Sequence, residues 1–141
     1  MPTAELFVHS QGCLEESDLE WLSGRLNRVL EEVMRSHPGS DLEALEELEL
    51  SLVDDATLAE VHGEFLDDPT FTDVITFPHG ELLVSVEMAE KRAEEYGKGV
   101  RGEVFLYIIH GLLHLAGYDD HEEQEATAMA VEQERIWAKY S

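Results

Sequence analysis

The stretch Gly102–Ala116, GEVFLYIIHGLLHLA, is the segment around which the rest of this chain is organised. Apolar side chains occupy nearly every position, so a helix formed here has no polar face. Such a helix is stable in a water-soluble protein only when neighbouring elements bury it. We therefore predict a buried central helix that is covered by the strands and amphipathic helices on either side of it in the sequence.

Two histidines, His110 and His114, lie four residues apart within this helix. Residues at that spacing project from the same face, one turn apart, and this is how one helix supplies two nitrogen ligands to one zinc ion. Gly117 follows where a chain leaving a helix often needs a positive φ. Beyond it, residues 119–121 can fold back toward the same point. Three protein ligands with an open fourth position are typical of a catalytic zinc site.

The flanking sequence carries clear strand and helix patterns. Alternating or β-branched runs predict strands at Ala4–Ser10, Leu48–Val53, Thr72–Phe77 and Leu82–Val86. Helical spacing predicts helices at Asp18–Met34, Asp54–Phe65, Glu87–Tyr96 and Glu122–Tyr140. The short connection between the third and fourth strands predicts an antiparallel hairpin. We expect an α+β fold, with a small mixed four-stranded sheet packed against about five helices and the metal site on the buried central helix.

The composition is strongly acidic. Nine Lys and Arg residues against 32 Asp and Glu residues give a formal net charge of −23. Such a surface repels polyanions at long range, so composition alone favours cations or basic partners over nucleic acid. The single cysteine excludes an internal disulfide. The N-terminal residues lack a signal-peptide pattern, and the longest apolar run is too short to span a bilayer, so we expect a cytoplasmic protein without membrane contact.

The histidine segment resembles a known family. Residues 110–119, HGLLHLAGYD, resemble the pattern HGxLHLxGYDH of the YbeY family of metal-dependent bacterial endoribonucleases. Upstream, residues 71–77, FTDVITF, are similar to the family strand PTDVLSF, and residues 80–85, GELLVS, are similar to GDIxIS. The resemblance implies one YbeY-like metallohydrolase domain over residues 1–141. It also implies a cytoplasmic enzyme that binds zinc and acts on ribosomal RNA in its maturation and in ribosome quality control.

The resemblance also implies a ligand set. His110 and His114 are expected to be the first two ligands of one zinc ion per chain. The last histidine of the family pattern falls ten residues after the first, and that position is Asp120 in this chain, followed by His121. Carboxylate oxygen is an acceptable zinc ligand. An ungapped match favours Asp120 as the third ligand, and His121 is the alternative if the loop absorbs one extra residue.

Two positions bear on the chemistry. Gly111 stands where zinc metalloproteases of the HExxH type have their glutamate base, which counts against peptide hydrolysis. Leu66 stands where the family usually has an arginine that could contact phosphate. Arg92 and Arg101 are candidates to replace that arginine. The general base and the other substrate-binding residues stay unassigned.

These observations lead to two main functions, and a small metallohydrolase that acts on another substrate is a third. The first is zinc-assisted phosphodiester hydrolysis by an endoribonuclease specific for single-stranded RNA, in which the ion polarises a phosphoryl oxygen or lowers the pKa of bound water toward ~7. The second is a non-catalytic acidic module of ribosome assembly with a structural metal and basic ribosomal proteins as partners. The open ligand set favours the first, whereas the net charge and Leu66 favour the second.

Overall fold

The computed structural model describes residues 2–66, 74–77, 79–97, 99–118 and 122–141, and within them it has five α-helices and one four-stranded sheet. In chain order the elements are β1 (Thr3–Val8), α1 (Glu16–Ser36), β2 (Glu47–Val53), α2 (Asp55–Leu66), β3 (Val74–Phe77), β4 (Glu81–Ser85), α3 (Val86–Tyr96), α4 (Gly99–Leu115) and α5 (Glu123–Tyr140). This architecture confirms the predicted α+β class. None of the described helices is both long enough and apolar enough to cross a membrane.

The sheet is mixed, with the strand order β1-β2-β4-β3. Strand β2 pairs in parallel with both β1 and β4, whereas β3 runs antiparallel to β4, with Val74 opposite Val84 and Phe77 opposite Glu81. The predicted hairpin is therefore confirmed. Residues 72 and 73, which belong to the predicted third strand, lie outside the described residues.

The two faces of the sheet bury different sets of side chains because successive strand residues alternate between them. Leu50 and Leu82 join the large core formed with α1, α4 and α5. Val53 and Leu83 face the other way and pack with Leu58 of α2 in a smaller cluster. Helix α4 therefore lies in the larger core, directly against β3 and β4.

Helix α4 has the burial that its sequence predicts. Phe105, Ile108, Ile109 and Leu112 are each 0% exposed. The helix begins three residues before the predicted start at Gly102, and this extra turn contains exposed residues. Because the first turn extends to the surface, it has no apolar pattern from which its helical structure could be predicted.

The buried carboxylate of Glu32 on α1 binds two basic residues of α5. The carboxylate of Glu32 is only 4% exposed, and its Oε1 accepts hydrogen bonds from Arg135 Nη1 at 3.0 Å and Lys139 Nζ at 2.8 Å. Arg35 Nη1 lies 3.5 Å from the other carboxylate oxygen. Hydrogen bonds from Lys139 and Arg135 hold the pKa of Glu32 below its usual value of 4.5. This contact fixes the position of α5 along the core.

Because the folded state lowers the pKa of Glu32, its contribution to stability is complete above pH ~4.5 and is lost as the pH falls through the lower, folded-state value. We expect Glu32→Gln to lower the free energy of unfolding at pH 7 by about 2 kcal/mol. Urea unfolding of both proteins from pH 7 to pH 3.5 measures the difference, which should shrink in acid.

Glu31→Gln is the matched control for this prediction. The Glu31 side chain is 55% exposed and lies 3.4 Å from Arg35, so its surface ion pair contributes less than ~1 kcal/mol. An equal loss of stability in the two variants, or a Glu32→Gln deficit that does not change with pH, would contradict the assignment.

Candidate metal centre

His110 and His114 face each other on the last turns of α4. Their Nε2 atoms are 3.1 Å apart, and their ring centroids are 4.6 Å apart with the ring planes at 83°. Both side chains are partly buried, although the residues between them on the helix are fully enclosed. The predicted convergence of the two imidazoles on one point is therefore confirmed.

The opposite ring nitrogens make hydrogen bonds that determine which nitrogens are protonated. His114 Nδ1 lies 3.1 Å from the backbone oxygen of Tyr118, and His110 Nδ1 lies 2.7 Å from Oε1 of Gln133. Both partners are acceptors in these contacts, so each Nδ1 must carry the proton and donate. In a neutral imidazole the other nitrogen then has a lone pair. Both Nε2 lone pairs thus point to the side where the two rings meet.

The turn after α4 places the carbonyl group that orients His114. The Tyr118 N–H donates to the Leu113 oxygen at 3.0 Å, and the Gly117 N–H donates to the His114 oxygen at 3.0 Å. This is the Schellman arrangement, which needs a residue with positive φ after the helix. Gly117 has φ +107°, as its position in the sequence predicts. The same turn that ends the helix therefore brings the Tyr118 oxygen within hydrogen-bond distance of His114 Nδ1.

The pair fits a zinc ion. Two nitrogens bound at ~2.0–2.1 Å in a tetrahedral centre lie about 3.4 Å apart, close to the observed 3.1 Å. Two lone pairs at that separation repel each other unless a cation or a proton lies between them. Zinc-ligating histidines usually donate their second ring N–H to a carbonyl or carboxylate oxygen, as both rings do here. The separation of the two Nε2 atoms and the hydrogen bonds of the two Nδ1 atoms therefore fit a pair of zinc ligands.

The candidates for a third ligand lie beyond the described part of the chain. Asp120 and His121, the two candidates, are both outside the described residues, as is Asp119. Within the described ranges no third His, Cys, Asp or Glu joins the histidine pair in a group that could hold a metal. The preference for Asp120 over His121 therefore stays a prediction.

Gln133 is the site residue that was not identified from the sequence. It occurs on the mainly apolar side of α5, between Met129 and Trp137, where a polar side chain is out of place. This polar residue among apolar ones was the feature from which its role could have been recognised, because an amide on a buried face needs a hydrogen-bond partner. Its partner became evident only when α5 was placed along α4, which the ion pairs of Glu32 help to determine.

The candidate phosphate-binding residues are not all near the histidines. Arg101 lies nine residues before His110 on the same helix, about 14 Å away along its axis. Its guanidinium group lies over the Trp21 ring instead. Arg92 is an exposed residue of α3. Leu66 is the last residue of α2, and its side chain is outside the described part of the structure.

An open cleft of about 380 Å³ adjoins the turn after α4 and is lined in part by His37, Gly117, Tyr118 and Glu125. The His37 and Tyr118 rings meet edge to face, with centroids 4.7 Å apart. Burial and the nearby carboxylate of Glu132 raise the pKa of the Tyr118 hydroxyl, so the phenol is protonated at neutral pH. The wall of this cleft therefore combines two aromatic rings, one of them a protonated phenol, with the carboxylate of Glu125.

The chain is similar to known proteins over most of its length. A family model described as endoribonuclease YbeY matches residues 13–141. An endoribonuclease YbeY from Leptospira biflexa is 33% identical over 140 residues, which are 91% of this chain and 88% of the relative. One from Nautilia profundicola is 39% identical over 98 residues, 64% and 70% of the two chains. The solution structure of a Thermotoga maritima protein matches with a TM-score of 0.65 at 26% identity, covering 98% of this chain and 89% of that one.

Proposed function

The chain belongs to the endoribonuclease YbeY family, and on that premise we propose that it is a zinc-dependent endoribonuclease specific for single-stranded RNA. Its substrate is ribosomal RNA, and it acts in the cytoplasm in rRNA maturation and ribosome quality control. The geometry of His110 and His114 is the main support for this proposal, because two Nε2 lone pairs 3.1 Å apart are suited to binding one divalent cation.

The residues of the chain hold and orient that cation. The Nε2 atoms of His110 and His114 bind it, and Asp120, or alternatively His121, completes the protein ligands. Gln133 and the Tyr118 carbonyl group keep both rings in the tautomer and orientation that binding needs. When bound, zinc supplies Lewis-acid chemistry by polarising a phosphoryl oxygen of the substrate.

Metal analysis combined with an RNA cleavage assay tests the function. We expect about one zinc per chain, cleavage of single-stranded but not of double-stranded RNA, loss of cleavage with a chelator, and recovery when zinc is added back. Asp120→Ala is expected to lower the bound zinc more than His121→Ala does. The proposed ligand set is wrong if both variants, and the double variant, still bind one zinc per chain.

Gln133 provides a second test that does not remove a ligand. Replacement by leucine removes the acceptor for His110 Nδ1 and frees the ring to rotate, so we expect zinc affinity to fall about 10- to 100-fold. Gln133→Glu keeps an acceptor oxygen at that position and should retain most of the affinity. Competition with a fluorescent zinc chelator measures both values. Equal affinity in the leucine variant and the unaltered protein would show that this hydrogen bond does not support the site.

A non-catalytic acidic module in ribosome assembly is the second candidate. The excess of 32 acidic over nine basic residues favours it, because such a surface attracts basic ribosomal proteins. The same assay separates the two functions. A zinc-loaded chain that leaves single-stranded RNA intact but binds a basic ribosomal protein would support the module and overturn the nuclease.

A further inference from the structure

A second cavity lies away from the histidine pair, where the start of α4 meets the start of α1 and the end of α5. Its volume is about 610 Å³, and it is lined in part by Asp18, Trp21, Val100, Arg101 and Trp137. We call it the two-tryptophan cavity, because both tryptophans of the chain line it. Nothing in the proposed zinc chemistry uses these residues.

The guanidinium groups of two arginines lie over the ring of Trp21. The Cζ atom of Arg25 lies 3.8 Å from the Trp21 ring centroid, and that of Arg101 lies 4.4 Å away. Arg25 is held there by hydrogen bonds from its Nε to the Tyr140 oxygen at 2.7 Å and from its Nη1 to the Trp21 oxygen at 3.1 Å. Trp21 itself packs edge to face on the buried Phe105 ring, with centroids 5.0 Å apart. The aromatic and cationic surface is therefore held in place before any ligand arrives.

This cluster is unusual in a chain of net charge −23. The chain has only nine Lys and Arg residues, and Arg25, Arg28 and Arg101 are grouped here. Arg28 lies three residues after Arg25 on α1, and burial together with the neighbouring charges of Arg101 and Arg28 lowers the pKa of Arg25. By contrast, Arg135 and Lys139 both pair with the buried carboxylate of Glu32, and Arg135 also pairs with Glu132. Two of the nine basic residues, Arg25 and Arg101, thus lie over the ring of Trp21.

We propose that the two-tryptophan cavity is a binding site for single-stranded RNA, separate from the cleavage site. Arginines that contact phosphates, beside aromatic rings or guanidinium planes on which bases stack, are the usual elements of single-strand recognition. The charge complementarity selects a polyanion on an otherwise repelling surface. The choice of RNA as the polyanion rests on the proposed function.

The cavity and the metal centre share two helices. Trp137 lies one turn after Gln133 on α5, and Arg101 lies about 14 Å before His110 along α4. RNA held by Arg101 is therefore held a few nucleotides from the histidine pair. The site would then supply affinity for phosphate that Leu66, an apolar residue, cannot supply.

The acidic side chain of Asp18 lines the cavity and repels RNA, so its replacement can test the proposal by a gain of affinity. Asp18 Oδ1 lies 3.6 Å from Arg101 Nη1 and partly neutralises it. Asp18 Oδ2 also accepts the Glu15 N–H at 2.9 Å at the start of α1, a hydrogen bond that the side-chain oxygen of asparagine can preserve. Asp18→Asn therefore removes one repelling charge without removing the helix cap.

Intrinsic fluorescence reports on this cavity alone, because the chain has two tryptophans and both line it. The probe is a ten-nucleotide oligouridine with 2′-O-methyl groups, which resists cleavage. We expect it to quench the tryptophan emission as it binds. We also expect the logarithm of its affinity, measured by anisotropy of a labelled copy, to fall with the logarithm of salt concentration with a slope of about −2, from ~0.7 for each of three phosphate contacts.

Single substitutions then assign the contacts. Arg28→Gln and Arg101→Gln should each weaken binding about three- to tenfold and reduce the slope by about 0.7. Asp18→Asn should strengthen binding about threefold, a gain that misfolding cannot produce. Arg35→Gln removes the same charge from an exposed position ten residues beyond Arg25 on α1 and is the control, which should change the affinity less than twofold.

The outcomes separate this site from the proposed function. Cleavage or binding of RNA without tryptophan quenching would refute RNA binding in the cavity but not the nuclease function. Equal effects of Arg101→Gln and Arg35→Gln would have the same meaning. Quenching and the expected variant effects in a zinc-loaded protein that cleaves no RNA would support the cavity and overturn the nuclease. No measurable binding of the probe at low salt would overturn the cavity as an RNA site.

Discussion

His114→Ala is expected to abolish both zinc binding and RNA cleavage. The substitution removes one of two Nε2 atoms that meet at 3.1 Å, and the remaining imidazole and one loop ligand cannot hold zinc in a tetrahedral site. Loss of a direct ligand should cost more than the 10- to 100-fold typical of residues that only orient one. We therefore expect zinc affinity and cleavage rate to fall by more than about a hundredfold, measured by chelator competition and by cleavage of single-stranded RNA.

Stability measurements separate this effect from misfolding. Zinc that binds only the folded state should stabilise the unaltered protein by about 2.7 kcal/mol at a free concentration one hundred times its Kd, and this gain should vanish in His114→Ala. In the presence of chelator the two proteins should unfold at similar urea concentrations.

His9→Ala is the control for His114→Ala, since His9 is exposed just after β1 and outside the site. It should keep both zinc and cleavage. A His114→Ala protein that still binds one zinc per chain would refute the metal centre, and one that loses zinc but still cleaves RNA would refute the role of zinc in catalysis.

Gly111→Ala is expected to destabilise the fold by about 1–3 kcal/mol even though alanine is the better helix former. A Cβ at this position would lie 2.5 Å from Leu82 Cδ2 and 3.3 Å from both Leu82 Cγ and Thr76 Cγ2. Leu82 is 0% exposed, so its side chain can give way only by shifting within the packed core. Either this shift or a slight separation of α4 from the sheet loosens the packing beneath the histidines.

Two further variants sharpen this prediction. Gly24→Ala makes the same change within α1, where nothing lies within 4 Å of the added Cβ, and it should stabilise the protein by up to about 1 kcal/mol. Leu82→Ala alone should cost about 2–5 kcal/mol, but it makes room for the new methyl group. The double variant Gly111→Ala/Leu82→Ala should then lose less stability than the sum of the two single changes. Additive losses in urea unfolding would mean that Gly111 and Leu82 are not in steric conflict.

The packing of Gly111 also has a chemical consequence. A glutamate at this position, as in the HExxH metalloproteases, has no space against Leu82 and Thr76. The helix approaches the sheet so closely that a side chain at position 111 would have to displace Leu82. The packing of α4 on the sheet therefore favours glycine over a glutamate base at this position.

The sequence by itself determined the local structure and the meeting of the two imidazoles on one face of a helix. An apolar run without a polar face must be buried, and two histidines four residues apart must share a helix face, whatever surrounds them. Gly117 likewise marked the turn, because few other residues adopt a positive φ readily. For these reasons α4, the convergence of His110 and His114, and the hairpin of β3 and β4 were all predictable from short stretches of chain.

Only the tertiary structure decided how distant residues meet. Gln133 hydrogen-bonds to His110 although 23 positions separate them in the sequence. Arg101, a candidate for contact with a substrate phosphate, lies over the Trp21 ring instead. The short approach of Gly111 to Leu82 depends on how α4 crosses the sheet. Periodicity specifies which face of an element is buried, but the partner of that face depends on the packing of the whole core. The two-tryptophan cavity, assembled from three helices, could not be predicted from any one of them.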